Sequence, residues 1–226
     1  MDLQESIAIV RNRIAAAAAK SGQSVSDITL VAVSKTVDSE TVRQAYELGI
    51  SDFGENRVQE LTHKIDQFPQ ANWHFIGRLQ TNKVKDVVGK VALIHSLDRW
   101  NLAERLNRRG LQQGVTVPCL VQVNVAGEEQ KAGINPDEVE SFLESLGQLE
   151  ALRIYGLMTM APILDQGEKA RPVFKELYQI KEKVSKNRYN SVSLRYLSMG
   201  MSQDYEVAIE EGANIVRVGS AIFHPE

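Results

Sequence analysis

The chain has 226 residues, 43% of them hydrophobic and 24% charged, with a formal net charge of −3. That is apolar mass for one sizeable core in one domain, two at most, and the slightly acidic balance excludes a general binder of nucleic acid or anionic membrane, which would be basic. A single cysteine, Cys119, excludes an intrachain disulfide and suits a reducing compartment. The acidic, alanine-rich start does not read as a signal peptide, and no run approaches the roughly 20 apolar residues of a membrane span, so the chain reads as cytoplasmic.

The first segment, residues 1–22, predicts a helix. Asp2 and Glu5 have capping-box spacing, Ile7, Val10 and Ile14 mark one apolar stripe, and Gly22 ends it. Strands and helices then alternate. "ITLVAVSK" predicts a strand and "SETVRQAYELG" a helix. "DFGEN" and "WHFIGRL" are the next strands, separated by the helix "RVQELTHKIDQF". After a short helix, "NKVKDVVG", come the strand "ALIHSLD" and a helix capped by Asp98. "PCLVQVNV" is followed by a loop and a helix that Asn135, Pro136 and Glu138 start. "LRIYGLMTM" and "LRYLSMG" flank a helix with Val173, Leu177, Ile180 and Val184 on one face. A helix beginning right after Ser202 leads to the last strand, "NIVRVGSAIF". About eight strands, apolar on both faces and separated by helices, predict an α/β fold, a single (β/α)8 barrel over residues 28–223. The basic stretch from Lys181 to Arg188 reads as a solvated helix face.

In such a barrel the chemistry sits where the strands end. The first strand ends at Lys35, the second at Glu55 and Asn56, and the third runs into Arg78, Gln80, Asn82 and Lys83. The seventh gives "SMGMS", with Ser198, Gly200 and Ser202, and the eighth gives "RVGS", with Arg217, Gly219 and Ser220. Hydroxyls, glycines and backbone amides on adjacent strands suit a phosphate. A lysine held as the free amine attacks carbonyls. Together they specify an aldehyde that carries a phosphate, either a phosphorylated sugar, as in lysine-dependent aldolases, or pyridoxal 5′-phosphate. His74, His95 and His224 have no metal-ligand spacing and read as packing, as do Trp73 and Trp100. His63 reads as exposed, and no metal site is expected.

Seven stretches, "LVAVSKT", "FGENRVQE", "WHFIGRLQTNK", "KAGI", "GLMTM", "LSMGMSQD" and "VRVGSAIF", resemble the pyridoxal phosphate homeostasis proteins, in the same order and from Leu30 to Phe223. The resemblance implies a barrel like the N-terminal domain of alanine racemase, with pyridoxal 5′-phosphate held as an aldimine on Lys35. It implies Asn56 beside the cofactor ring, and Ser198, Gly200, Ser202, Gly219 and Ser220 around the phosphate with Met199 packing nearby. Arg217 would face the pyridine nitrogen, and Lys131 would be a second amine close to the site. The one variation, "GS" where many relatives have "GT", keeps the hydroxyl.

The implied function is holding the cofactor for vitamin B6 homeostasis, with a weak amino-acid racemase as the alternative. An arginine at the ring nitrogen makes a weak electron sink. Alanine racemases add a tyrosine from a second domain of a partner subunit, and no residues remain here for such a domain. Transient contact with apo-enzymes that use the cofactor, and a monomeric state, complete the expectations.

Overall fold

The computed structural model describes residues 2–128, 132–162 and 167–225. Helix α1 (Leu3–Ser21) comes first. The Asp2 carboxylate accepts from Glu5 N at 2.7 Å, and Gly22 closes the helix in the left-handed region at φ +72°. Its stripe of Ile7, Val10 and Ile14 is buried.

Eight parallel strands follow and close into a barrel in chain order. They are β1 (Thr29–Val33), β2 (Asp52–Glu55), β3 (Asn72–Phe75), β4 (Leu93–Leu97), β5 (Val117–Gln122), β6 (Leu152–Met158), β7 (Val192–Ser198) and β8 (Ile215–Val218). Between them lie α2 (Ser39–Glu47), α3 (Val58–Gln67), α4 (Trp100–Gln113), α5 (Val139–Leu146), α6 (Arg171–Val184) and α7 (Tyr205–Glu210), and α8 (Ser220–Phe223) follows β8. A 3₁₀ turn over Thr81–Asp86 stands between β3 and β4, where the sequence predicts a short helix. Helix α1 packs on α7 and α8, with Lys20 Nζ 3.1 Å from Glu210. No helix among the described residues is long and apolar enough to cross a membrane.

The two-residue period of a strand sorts its side chains to two places. Val31, Leu93, Leu120, Met158 and Ile215 form one small apolar cluster inside the barrel. Their strand neighbours Ala32, Ile94, Cys119, Leu157 and Val216 belong to the larger core against the helices. Cys119 is fully buried there, and burial pushes its thiol far up, so it stays protonated and inert.

The barrel closes unevenly. β8 pairs with β1 over four residues, Thr29↔Ile215 to Ala32↔Val218, but with β7 only at Ser198↔Ile215. On that side backbone bonds flank the one pair, from Asn214 N to Leu197 O, Met199 N to Ile215 O and Arg217 N to Gly200 O, and the Asn214 side chain adds two more, accepting from Leu197 N and donating to Arg195 O, both at 2.7 Å.

Four expectations need correction. The segment after Asn135 starts as a 3₁₀ turn, Pro136–Glu138, with no side-chain cap from Asn135, and α5 begins only at Val139. Asp98 does not cap α4. Arg99 occupies that position without a side-chain cap, and the Asp98 carboxylate binds the Arg99 guanidinium instead. The chain after Ser202 makes a turn, and α7 starts only at Tyr205. The last strand stops at Val218, because "SAIF" turns into α8 from Gly219 onward.

Candidate functional site

The segment carrying Lys35 is held from below. β1 ends at Val33, and Ser34 N donates to Gly54 O at 3.1 Å. Ser34 Oγ donates to Glu55 Oε1 at 2.7 Å, and Lys64 Nζ donates to both Ser34 O (2.7 Å) and Glu55 Oε1 (2.6 Å). Glu55 therefore faces α3, not the rim where strand order alone places it. It is fully buried, and burial holds its carboxyl above the usual range despite the Lys64 ammonium. Above this pair the chain turns sharply. Val37 N donates to Ser34 O at 3.0 Å, and Thr36 sits at φ +65°, a left-handed conformation that a β-branched residue adopts at a cost of about 1–3 kcal/mol. Lys35 is exposed at this turn, and its side chain lines a cavity at the C-terminal end of the strands.

That cavity has a volume of about 500 Å³, inside the ~300–1,000 Å³ range of small-molecule sites. Lys35, Asn56, Ser202, Arg217, Gly219 and Ser220 all line it. Ser202 Oγ ties the β7 and β8 loops together by accepting from Gly219 N (3.1 Å) and Ala221 N (3.3 Å). The amides of Ser202, Gln203 and Ser220 make no hydrogen bond to protein among the described residues. Asp204 also lines the cavity. Burial raises its carboxyl above the usual range, although it accepts from Met201 N at 2.6 Å.

Ser198, Met199 and Gly200 lie outside the lining. Ser198 and Met199 are fully buried. At Gly200 a Cβ would stand 2.6 Å from Ala208 Cβ, so this glycine lets α7 approach. Lys131 lies outside the described residues.

Behind Arg217 runs a chain of hydrogen bonds that the sequence does not announce. Arg217 Nη1 donates to Ser198 Oγ (2.5 Å), and Nη2 donates to Thr159 O (2.9 Å). Ser198 Oγ is 2.9 Å from His95 Nδ1, His95 Nε2 is 2.9 Å from His74 Nδ1, and His74 Nε2 is 3.1 Å from Asp52 Oδ1. An arginine can only donate, so the Ser198 hydroxyl proton goes to His95 Nδ1. His95 then donates from Nε2 to His74, which donates from Nε2 to the Asp52 carboxylate. One set of tautomers satisfies every link. Burial drives His95 well below its usual pKa, and its neighbours His74 and Arg217 add to this, so it stays neutral. Burial also lowers Arg217, to about 10, leaving it a cation at neutral pH.

His74 and His95 are thus more than packing. Their signal was the alternation itself: in "WHF", Trp73 and Phe75 belong to the outer core, which turns His74 inward.

Residues 8–226 match the family model for the N-terminal domain of alanine racemase. A pyridoxal phosphate homeostasis protein of Aquifex aeolicus is 44% identical over 225 residues, covering 99% of this chain and 98% of that one. The chain belongs to the pyridoxal phosphate homeostasis protein family. Solved structures agree with that membership. PipY of Synechococcus elongatus is 34% identical without pyridoxal phosphate and 33% with it bound, at TM-scores of 0.86 and 0.84. In both cases 98% of this chain and all of the PipY chain are covered. The homeostasis-protein barrel is therefore the one built here, α1 included.

Proposed function

We propose that this chain holds pyridoxal 5′-phosphate in the 500 Å³ cavity, with Lys35 Nζ as the covalent anchor, and serves intracellular vitamin B6 homeostasis without efficient turnover. One observation carries the reading: an amine, a guanidinium and unengaged backbone amides line the same cavity. The donor set fits the cofactor. The amides of Ser202, Gln203 and Ser220, with two hydroxyls beside them, suit a phosphate. Gly219 keeps that end narrow and bare, since a Cβ there would stand 3.3 Å from Val33 Cβ. The pyridoxal phosphate bound to PipY and the name of the Aquifex relative support the same reading.

When bound, the cofactor supplies an aldehyde carbon and an electron-withdrawing pyridine ring. Lys35 Nζ projects from a turn fixed by the Glu55–Lys64 pair, so its backbone is set before any ligand arrives. Two of the five Arg217 N–H groups are used by Ser198 and Thr159. Those left over can donate to a ring nitrogen, and a guanidinium that stays charged cannot take up a proton from it or hold one between them. That keeps the ring a weak electron sink and favours holding over turnover. Asn56 borders the ring end. Transient hand-over to apo-enzymes and a monomeric state belong to the same proposal.

The test is the visible absorbance of the purified protein before and after borohydride, with peptide mapping, beside Lys35→Ala. A yellow band fixed by reduction onto the Lys35 peptide and absent from the variant is expected. A protein that stays colourless with added pyridoxal phosphate would overturn the reading. Turnover of an amino acid that Lys35→Ala abolishes would replace it with the weak racemase.

A further inference from the structure

The cofactor cavity leaves the motif "RLQTNK", Arg78–Lys83, without a role. These residues line a second cavity of about 640 Å³ on the same rim, and Asn56 and Arg78 border both cavities. Gly77 is what brings them together. A Cβ at this position would fall 2.1 Å from Asn56 O, so the β3 exit lies flat against the β2 exit.

The floor of the second cavity is apolar, with Val58, Phe75 and Leu79 buried beneath it. Its wall is cationic, formed by Arg57, Arg78, Lys83 and Arg99. Two carboxylates answer these four cations. Asp98 is shared between Arg99 and Arg78, the latter at 3.4 Å, and Glu60 lies 3.5 Å from Arg57. Lys83 is half-buried, yet its ammonium makes no ion pair or hydrogen bond among the described residues. The side-chain amides of Gln59, Gln80 and Asn82 are equally unengaged. A recess rich in donors, short of acceptors and floored with apolar carbon is incomplete without a ligand that supplies both oxygens and apolar surface.

We propose that this recess binds a small organic anion, a carboxylate or phosphate group on an apolar body, directly beside the cofactor cavity. The anionic oxygens meet Lys83 and Arg57, and the body lies over Val58, the floor side chain that stays partly open. A recess of about 640 Å³ has the size of a small-molecule site, which favours a small molecule over an acidic protein segment. The proposal uses neither Lys35 nor the β7 and β8 loops, and so stands apart from the cofactor reading.

Calorimetric titration of the cofactor-loaded full chain with phenyl phosphate, benzoate and inorganic phosphate tests it. One site per chain is expected for an aromatic anion, and the tighter of the two identifies the anionic group. Inorganic phosphate, which lacks the body, should bind about tenfold more weakly or less, and Lys83→Gln and Arg57→Gln should each weaken binding about tenfold. The cofactor absorbance should not change in either variant. No binding of either aromatic anion, or binding indifferent to both substitutions, overturns the proposal. So does binding that displaces the cofactor, or a Lys83-dependent preference for an oligoglutamate peptide. If the chain takes no cofactor at all, the same titration on the bare protein, with the same two variants, still decides the matter.

Discussion

On the helix side of β2, Glu55 and Lys64 bury two charges against each other. On the barrel side of the same strand, Asp52 begins a line through His74, His95 and Ser198 to Arg217. The first network concentrates charge in one contact and even leaves Glu55 Oε2 without a partner among the described residues. The second keeps the Asp52 and Arg217 charges at its ends and joins them through two imidazoles and a hydroxyl drawn from three further strands. The difference follows from what each supports. The pair fixes a backbone turn, which one strong contact can do. The line orients a guanidinium at the mouth and needs direction along its length.

Breaking the pair should cost most. Lys64→Met leaves a carboxylate buried without its counter-ion, and a loss of about 3–5 kcal/mol is expected in urea denaturation. Adding Glu55→Leu should recover most of that loss. If the single variant costs no more than the double, the pair is not what holds the turn.

Breaking the line in its middle should cost less, because the buried charges at its ends keep their partners. His95→Phe removes one bond each from Ser198 and His74, which Arg217 and Asp52 still hold, and a loss of about 1–3 kcal/mol is expected. His95→Gln, which can both donate and accept, should restore part of the stability and of the Arg217-dependent cofactor absorbance. Equal behaviour of Phe and Gln in both measurements would reduce the line to packing.

The line should also show in acid. His95 is depressed below its usual 6.5 in the folded chain, so below that pH the unfolded chain binds the extra proton. Stability contributed by the neutral ring is therefore present above pH 6.5 and falls as pH drops, by about 1.4 kcal/mol per unit for one proton until the folded value is reached. His95→Gln should remove that one-proton component from the pH dependence of unfolding. The smallest effect is expected at Thr36. Thr36→Gly relieves the left-handed strain but loosens the unfolded chain, for a net gain of about 1 kcal/mol or less by thermal unfolding.

Alternation of apolar strands and helices made the barrel legible, because hydrophobic period and turn residues are local properties. Lys35, Asn56, Ser202, Arg217, Gly219 and Ser220 were legible as one group because a barrel gathers its strand ends. Ser198 to Gly200 stand outside the lining for a local reason as well. The strand predicted over "LRYLSMG" ends at Ser198, whose side chain turns inward to Arg217 and His95 while Met199 turns outward into the helix-side core. The two networks were hidden for the opposite reason. Lys64 looks like any helix-face lysine, and 103 residues separate His95 from Ser198. Their partners are set by how strands close in space, which no window of sequence contains.

The uneven closure described for β7 and β8 has a kinetic meaning. A ring opens where its register is shortest, and here one register pair, three flanking backbone hydrogen bonds and the Asn214 amide hold the joint. The same two strands carry Arg217 and the Ser202 clasp across Gly219. Breathing of the barrel and loosening of the cavity mouth are then one motion, and the lifetime of anything held there is tied to the lifetime of the seam.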